Sequence, residues 1–212
     1  MAEQNRSPKS GKRRYELRRR AEQQDQTRRR ITEAAVELHQ SIGPAATTIS
    51  AIAERAGVQR LTVYRHFPDQ QAIFAACSQH FFAANPPPDT AAWAAITDPA
   101  VRLATALAEL YAWHERVEAM LTGVTRDAEV LPGLVGRGYA SLLETMRACL
   151  LAGWPDGPAG RLAAAAAGHA LHFRTWLSLV RVQGLTTAEA VALMTALIRQ
   201  AAAGPAGPAA AS

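Results

Sequence analysis

A chain of 212 residues, 49% of them hydrophobic, can bury a core of its own without metals or disulfides. Its two cysteines, Cys77 and Cys149, fit reduced, buried thiols better than a stapled secreted scaffold. The N-terminus lacks the apolar core of a signal peptide and no run of about 18 apolar residues occurs, so a cytoplasmic protein with no membrane span is expected.

The formal net charge of +5 is unevenly placed. Residues 1–30 carry 11 of the 23 Lys and Arg against 4 of the 18 acids, whereas the remainder carries 12 against 14. A basic head on a nearly neutral body suits a polyanion, with nucleic acid favoured over membrane because the head has no apolar face for lipid. A solvated tail is the alternative that charge alone leaves open.

Helical spacing dominates and no segment alternates with period two, so the fold class is expected to be all-α. Residues 1–24, with Lys12-Arg13-Arg14 and Arg18-Arg19-Arg20, read as a basic flexible arm, part of it open to helix formation. From about Thr27, Ile31, Ala34, Ala35, Leu38 and Ile42 recur on one face, and Gly43-Pro44 stops that first helix. Thr48 can cap a second helix bearing Ile49, Ile52, Ala53 and Ala56, which Gly57 ends. A third runs from about Gln59 to Phe67, and Pro68-Asp69 opens a fourth reaching about Ala84. Residues 25–84 therefore form one candidate domain.

Asn85-Pro86-Pro87-Pro88 interrupts the chain, and an Ala-rich linker leads to Asp98-Pro99, a cap with proline at the first helical position. A second domain is expected over residues 98–203. It opens with a helix carrying Leu103, Leu107, Leu110, His114, Val117 and Leu121, with a break or bend near His114. A short helical piece around residues 118–127 precedes a helix with Val135, Tyr139, Leu142, Met146 and Cys149. After the Gly153–Pro158 turn cluster, one long helix from Arg161 presents Leu162, Ala166, His169, Phe173, Trp176 and Val180. Thr186 and Glu189 form a capping box that starts a final helix with Val191, Met194, Leu197 and Ile198, and residues 204–212 read as a flexible tail.

Residues 48–67, TISAIAERAGVQRLTVYRHF, have the form of a helix-turn-helix. Gly57 permits the positive backbone angle of the turn, and Val58 can fill the angle between the helices. On the helical wheel Val63 and Phe67 face the core. Gln59, Arg60, Thr62, Arg65 and the polar tips of Tyr64 and His66 are left to reach outward. Arginine can grip guanine and glutamine adenine, while hydroxyls and imidazole can hold phosphates. Leu61 could meet a thymine methyl group or pack against the second helix.

This stretch resembles the TetR family of bacterial transcriptional regulators. The matching residues run from Arg28 to about Phe74: a first helix ending in Gly43, then Thr48, Ile52-Ala53, Ala56-Gly57-Val58, Thr62, Tyr64, His66-Phe67 and Asp69. Gln59, Leu61 and Gln70 depart from the residues common in the family. The resemblance implies a three-helix DNA-binding domain followed by a helical ligand-binding and dimerisation domain. It also implies DNA contacts from Arg28, Thr48, Gln59, Arg60, Leu61, Thr62, Tyr64, Arg65 and His66. Thr48, Thr62, Tyr64 and His66 would hold the DNA backbone, and Gln59, Arg60 and Leu61 would read bases.

The implied partners are double-stranded DNA with a palindromic operator, a second copy of the chain joined through the last two long helices, and a small hydrophobic effector. The small residues of 163–168 would let helices approach closely in such a dimer. Trp113, His114, Met120, Tyr139, His169, His172, Phe173 and Trp176 describe either an apolar ligand pocket or a plain aromatic core. His169 and His172 are spaced for a shared metal but have no evident third ligand, so neither a metal nor a cofactor is expected. The sequence has no Gly-rich phosphate loop, HExxH or GxSxG. A ligand-responsive repressor is therefore the expected function and an enzyme is not. An α-helical small-molecule-binding protein or enzyme with an incidental basic arm is the alternative.

Overall fold

The computed structural model describes residues 9–131, 137–154 and 156–204, and every regular element among them is helical. Helix α1 spans Lys9–Ser41. Its C-terminal half buries Ile31, Ala34, Ala35 and Leu38, while Ile42, just beyond it, stays exposed. Residues 9–24, expected as a flexible arm, instead continue the same helix, with side chains 13–26 exposed. Between Gly11 and Gly43 there is no Gly or Pro, and the Arg, Glu, Gln and Ala found there favour a helix that the packed half has already nucleated.

Helix α2 (Ile49–Ala56) starts at Thr48, whose side chain accepts from the Ala51 amide at 3.1 Å, and ends at Gly57. Helix α3 (Arg60–His66) follows the turn, and α4 (Gln70–Ala84) is capped by Asp69, which accepts from the Ala72 amide at 2.7 Å. These four helices form the head. The expected linker contains a further short helix, α5 (Thr90–Ala94), capped by Asp89. It exists to carry one anchor: Trp93 is buried and its Nε1 donates to Glu109 at 2.7 Å.

Helix α6 spans Pro99–Arg116, and the break expected near His114 falls at Val117, after which α7 (Glu118–Asp127) follows. Helix α8 spans Arg137–Leu151; Val135 of the expected stripe lies outside the described residues, as do residues 1–8 and most of the expected tail. The long helix expected from Arg161 is two pieces, α9 (Gly157–Leu171) and α10 (Phe173–Leu177), followed by a π-helical turn over Ser178–Val182. The break falls at His172, which is extended. Side chains satisfy the backbone groups that the break releases: Tyr111 donates to the Ala170 carbonyl at 2.9 Å, Thr175 to the His169 carbonyl at 2.6 Å, and Tyr139 accepts from the Phe173 amide at 3.2 Å. Helix α11 (Thr187–Ala203) begins with the expected capping box and packs along α9 and α6.

Head and body share one apolar core and meet where α1 crosses α7. The crossing is close because Gly123 faces the α1 backbone: a β-carbon there would lie 3.0 Å from the His39 carbonyl oxygen. Cys77 and Cys149 are both free thiols, Cys149 only half-buried. Among the described residues no helix is long and apolar enough to cross a membrane.

Candidate nucleic-acid interface and the cavity behind it

The turn between α2 and α3 depends on Gly57, whose φ of 63° is one that L side chains rarely adopt. Its amide bonds the Glu54 carbonyl at 3.0 Å, and the Val58 amide bonds that of Ala53 at 2.9 Å. Val63 and Phe67 anchor α3 in the core at 0% and 1% exposure. Their burial turns the opposite side of α3 outward. Gln59, Arg60 and Arg65 are exposed, as are Leu61 at 68% and Tyr64 at 46%. Leu61 thus does not pack against α2. Thr48 is exposed, while Thr62 and His66 are half-buried at the edges of the row. Of the sequence-predicted contacts from Thr48 to His66, all but Thr62 and His66 are open to solvent.

Arg28 stands apart from this row. Its Nη1 donates to the His66 carbonyl at 2.7 Å and its guanidinium lies 4.2 Å from the centre of the Phe67 ring. The side chain expected to meet DNA thus also holds the C-terminal end of α3, satisfying a carbonyl that the helix leaves open. Arg30, not singled out by the sequence, donates to the carbonyls of Ala56 and Gly57 and braces the turn itself. The signal was an arginine just before the apolar stripe of α1, indistinguishable in sequence from the solvated arginines around it. Partial burial, then the positive charges of Arg28 and Arg65, hold the His66 imidazole below its ordinary pKa.

The eight residues expected around a ligand separate into three groups. Trp113, His114, Phe173 and Trp176 are all fully buried and pack edge-to-face or at a tilt, with ring centres 5.4 Å apart for His114 and Phe173 and 6.0 Å for His114 and Trp176. They are core. Burial, then His172 nearby, lowers the His114 pKa to about 3, and its Nε2 pairs with the Tyr139 hydroxyl at 3.0 Å. His169 and His172 are exposed and flank the helix break, where His172 accepts from the Arg174 amide at 3.3 Å. No group of three or more His, Cys, Asp and Glu able to hold a metal occurs among the described residues.

Of the eight, Met120 and Tyr139 border an apolar cavity between α1, α4, α7 and α8 with a volume of about 310 Å³, and Tyr139 and His172 border another of about 620 Å³ between α7, α8, α9 and α10. Phe74, Phe81, Phe82, Leu121 and Val124 supply the apolar wall of the first, and His39, Gln71, Ser78 and Tyr139 its polar groups. Helix α4 shows why the sequence pattern does not reveal it. Ile73, Cys77 and Phe81 form one buried stripe, and the adjacent positions Phe74, Ser78 and Phe82 form a second, half-buried one. Two neighbouring stripes on one helix were the available signal. His39 stacks on Phe74 with ring centres 5.0 Å apart, and burial, opposed by Asp127, lowers its pKa to about 4.

Beside His39, the end of α7 is fastened to the loop that leads into α2. Asp127, 4% exposed, accepts from the Ala45 amide at 2.8 Å and pairs with Arg126 at 2.7 Å. Arg126 in turn donates to the Ile42 carbonyl at 3.0 Å. The body thereby holds backbone groups of the head directly, just ahead of the Thr48 cap.

A braced helix-turn-helix with a solvent-facing second helix, joined to a helical body with a cavity at the junction, defines a two-domain helix-turn-helix DNA-binding protein. Residues 31–77 match the model of the bacterial regulatory proteins of the tetR family. That match covers the helix-turn-helix and identifies residues 31–77 as a DNA-binding domain of the tetR type. The fold of the chain is similar to that of a TetR-like transcriptional regulator from Rhodococcus sp. RHA1, with 21% identity, a TM-score of 0.60, and coverage of 84% of this chain and 97% of that one. A protein of Mesorhizobium loti MAFF303099 assigned to the TetR family is similar at 21% identity and a TM-score of 0.57, over 85% of this chain and 96% of that one. A TetR transcription regulator from Haloarcula marismortui ATCC 43049 matches at 16% identity and a TM-score of 0.55, over 84% and 97%. No curated protein is similar enough in sequence to count as a relative.

Proposed function

We propose that the protein is a cytoplasmic repressor that binds a palindromic operator as a homodimer and is released by a small hydrophobic effector. The observation that carries this reading is the exposed row Gln59, Arg60, Leu61, Tyr64 and Arg65 on a helix whose other face is anchored and whose ends Arg28 and Arg30 brace. Gln59 and Arg60 read base edges in the major groove, and Thr48, Thr62, Tyr64 and His66 hold phosphates. The basic first half of α1 adds salt-sensitive phosphate contacts.

Dimerisation through α9 and α11 is supported by Leu162, Leu193 and Leu197, which stand 52%, 47% and 44% exposed on these helices, beside the small residues of α9. Two-fold pairing places two recognition helices in successive major grooves of a two-fold site. The effector site is the junctional cavity, because a ligand there touches α1 and α4 of the head and α7 and α8 of the body at once. An incidental basic arm on a small-molecule-binding protein or enzyme would leave the exposed row without a purpose.

Fluorescence anisotropy with DNA from upstream of the gene tests this. Tyr64→Ala is expected to weaken binding to all sequences alike, and Arg60→Ala to relax preference at one base position at a cost of about 1–3 kcal/mol. If both variants keep wild-type affinity and preference, α3 is not the reader.

A further inference from the structure

The cavity's wall constrains the charge of its occupant. Among the described residues no Asp, Glu, Lys or Arg lines it, and its ionisable members are held neutral by burial: Cys77 is pushed up to about 12, Tyr139 upward and His39 down to about 4. Among the described lining residues an ion entering would find no counter-charge, the Asp127 carboxylate behind His39 being already paired with Arg126, so shedding its hydration carries a heavy penalty. The polar groups that remain are donors and acceptors of single hydrogen bonds. The neutral His39 ring offers one N–H and one lone pair, and among the described residues no hydrogen bond reaches it. Gln71 and Ser78 lie along α4 on the facing wall.

We propose that the cavity takes an uncharged, mainly apolar ligand bearing one hydrogen-bonding group such as a hydroxyl, and that His39 of the DNA-binding head is the residue that pairs with it. The inference rests on the effector reading above and narrows it to a charge class and a contact. Its consequence is geometric. Helix α1 carries His39 into the ligand's wall, where the imidazole feels the charge of the Asp127 carboxylate, which in turn holds the Ala45 amide. A ligand bonded to His39 therefore bears on the segment that leads into α2.

The test is calorimetric, on the full chain without DNA, with naphthalenes that share one skeleton: 2-naphthalenemethanol, 2-naphthoate and 2-naphthylmethylamine at pH 7. The alcohol is expected to bind at least tenfold more tightly than either ion. His39→Phe, which keeps the stacking on Phe74 but removes the ring nitrogens, is expected to weaken the alcohol severalfold and leave 2-methylnaphthalene unchanged. Ser78→Phe and Gln71→Trp narrow the cavity from two positions of α4, and each folded variant is expected to lose the alcohol. An ion bound within tenfold of the alcohol overturns the proposal, as does an alcohol that fails to bind, one that a folded narrowed variant binds undiminished, or one indifferent to His39→Phe. Because the readout involves no DNA, a regulator that reads DNA but fails here loses only this inference. A chain that selects the alcohol yet shows no sequence-preferring DNA binding loses only the reading as a repressor.

Discussion

Replacing Asp127 with alanine removes the acceptor by which the body holds the head. The carboxylate is almost fully enclosed and accepts from the Ala45 amide at 2.8 Å, whereas its partner Arg126 has a side chain 58% exposed, so that ion pair adds little. The loss is therefore chiefly one hydrogen bond to a charged group at a partly buried site, about 1–2 kcal/mol. For a chain of this length that corresponds to a fall in melting temperature of about 2–8 °C. Hydrogen exchange followed by mass spectrometry localises it: residues 42–47 should exchange roughly 5–30-fold faster in Asp127→Ala, while the α9–α11 pair is unchanged. The bond to Arg126 is the largest cause holding the Asp127 pKa down, opposed by desolvation and aided by the Ala45 amide. A group depressed on folding stabilises above its unfolded pKa, so the difference between wild type and variant should be full at pH 7 and shrink as pH falls below about 4. Asp127→Asn, which keeps an oxygen for the Ala45 amide, should lose less. A variant that melts with wild type at pH 7 and exchanges no faster at 42–47 would refute the joint.

Three further outcomes concern the turn, the basic helix and the dimer face. Gly57→Ala forces a β-carbon into a φ of 63° and within 3.0 Å of Arg30 Nη2, so a loss of about 1–2 kcal/mol by chemical denaturation is expected, with weaker DNA binding because the brace on the turn is displaced. Deleting residues 1–24 should leave the fold intact by circular dichroism and flatten the dependence of log K on log salt by about 0.9 for each phosphate that the arm neutralises; an unchanged slope would mean that the basic helix does not touch DNA. Leu193→Glu combined with Leu197→Glu should turn a dimer into a monomer in sedimentation velocity, and a variant that stays dimeric would place the interface elsewhere.

What the sequence made visible was whatever local chemistry decides. Thr48, Gly57, Pro68 and Asp69 are caps and stops whose effect needs no distant partner, so the bounds of α2, α3 and α4 follow from them. The capping box of α11 is read the same way. The break at His172 carries no Gly or Pro. It exists because Tyr111, Tyr139 and Thr175, two of them from other helices, satisfy the released backbone groups, and only the tertiary structure brings those hydroxyls there. The apolar stripe from Ala166 to Val180 therefore looked continuous. Likewise α5 is held by Trp93 against Glu109 across sixteen residues, and nothing in its alanines announces that anchor.

The same division runs through the sites. The outward row of α3 follows from one wheel anchored by Val63 and Phe67, and it was legible. Arg28 and Arg30 differ from their neighbours only by what folds up against them. Trp113, Phe173 and Trp176 fill their own space in the core, and a cavity lies where α4 presents a second stripe to α1 and α7.

The central claim is that α3 reads sequence in double-stranded DNA. Selecting bound duplexes from a randomised pool with the full chain, followed by sequencing, tests it most directly. The account predicts enrichment of a two-fold symmetric motif whose half-sites are centred about 10 base pairs or a multiple apart, with information lost at one position of each half-site in Arg60→Ala. A bound pool no different from the input, or a motif that Arg60→Ala leaves untouched, would contradict it.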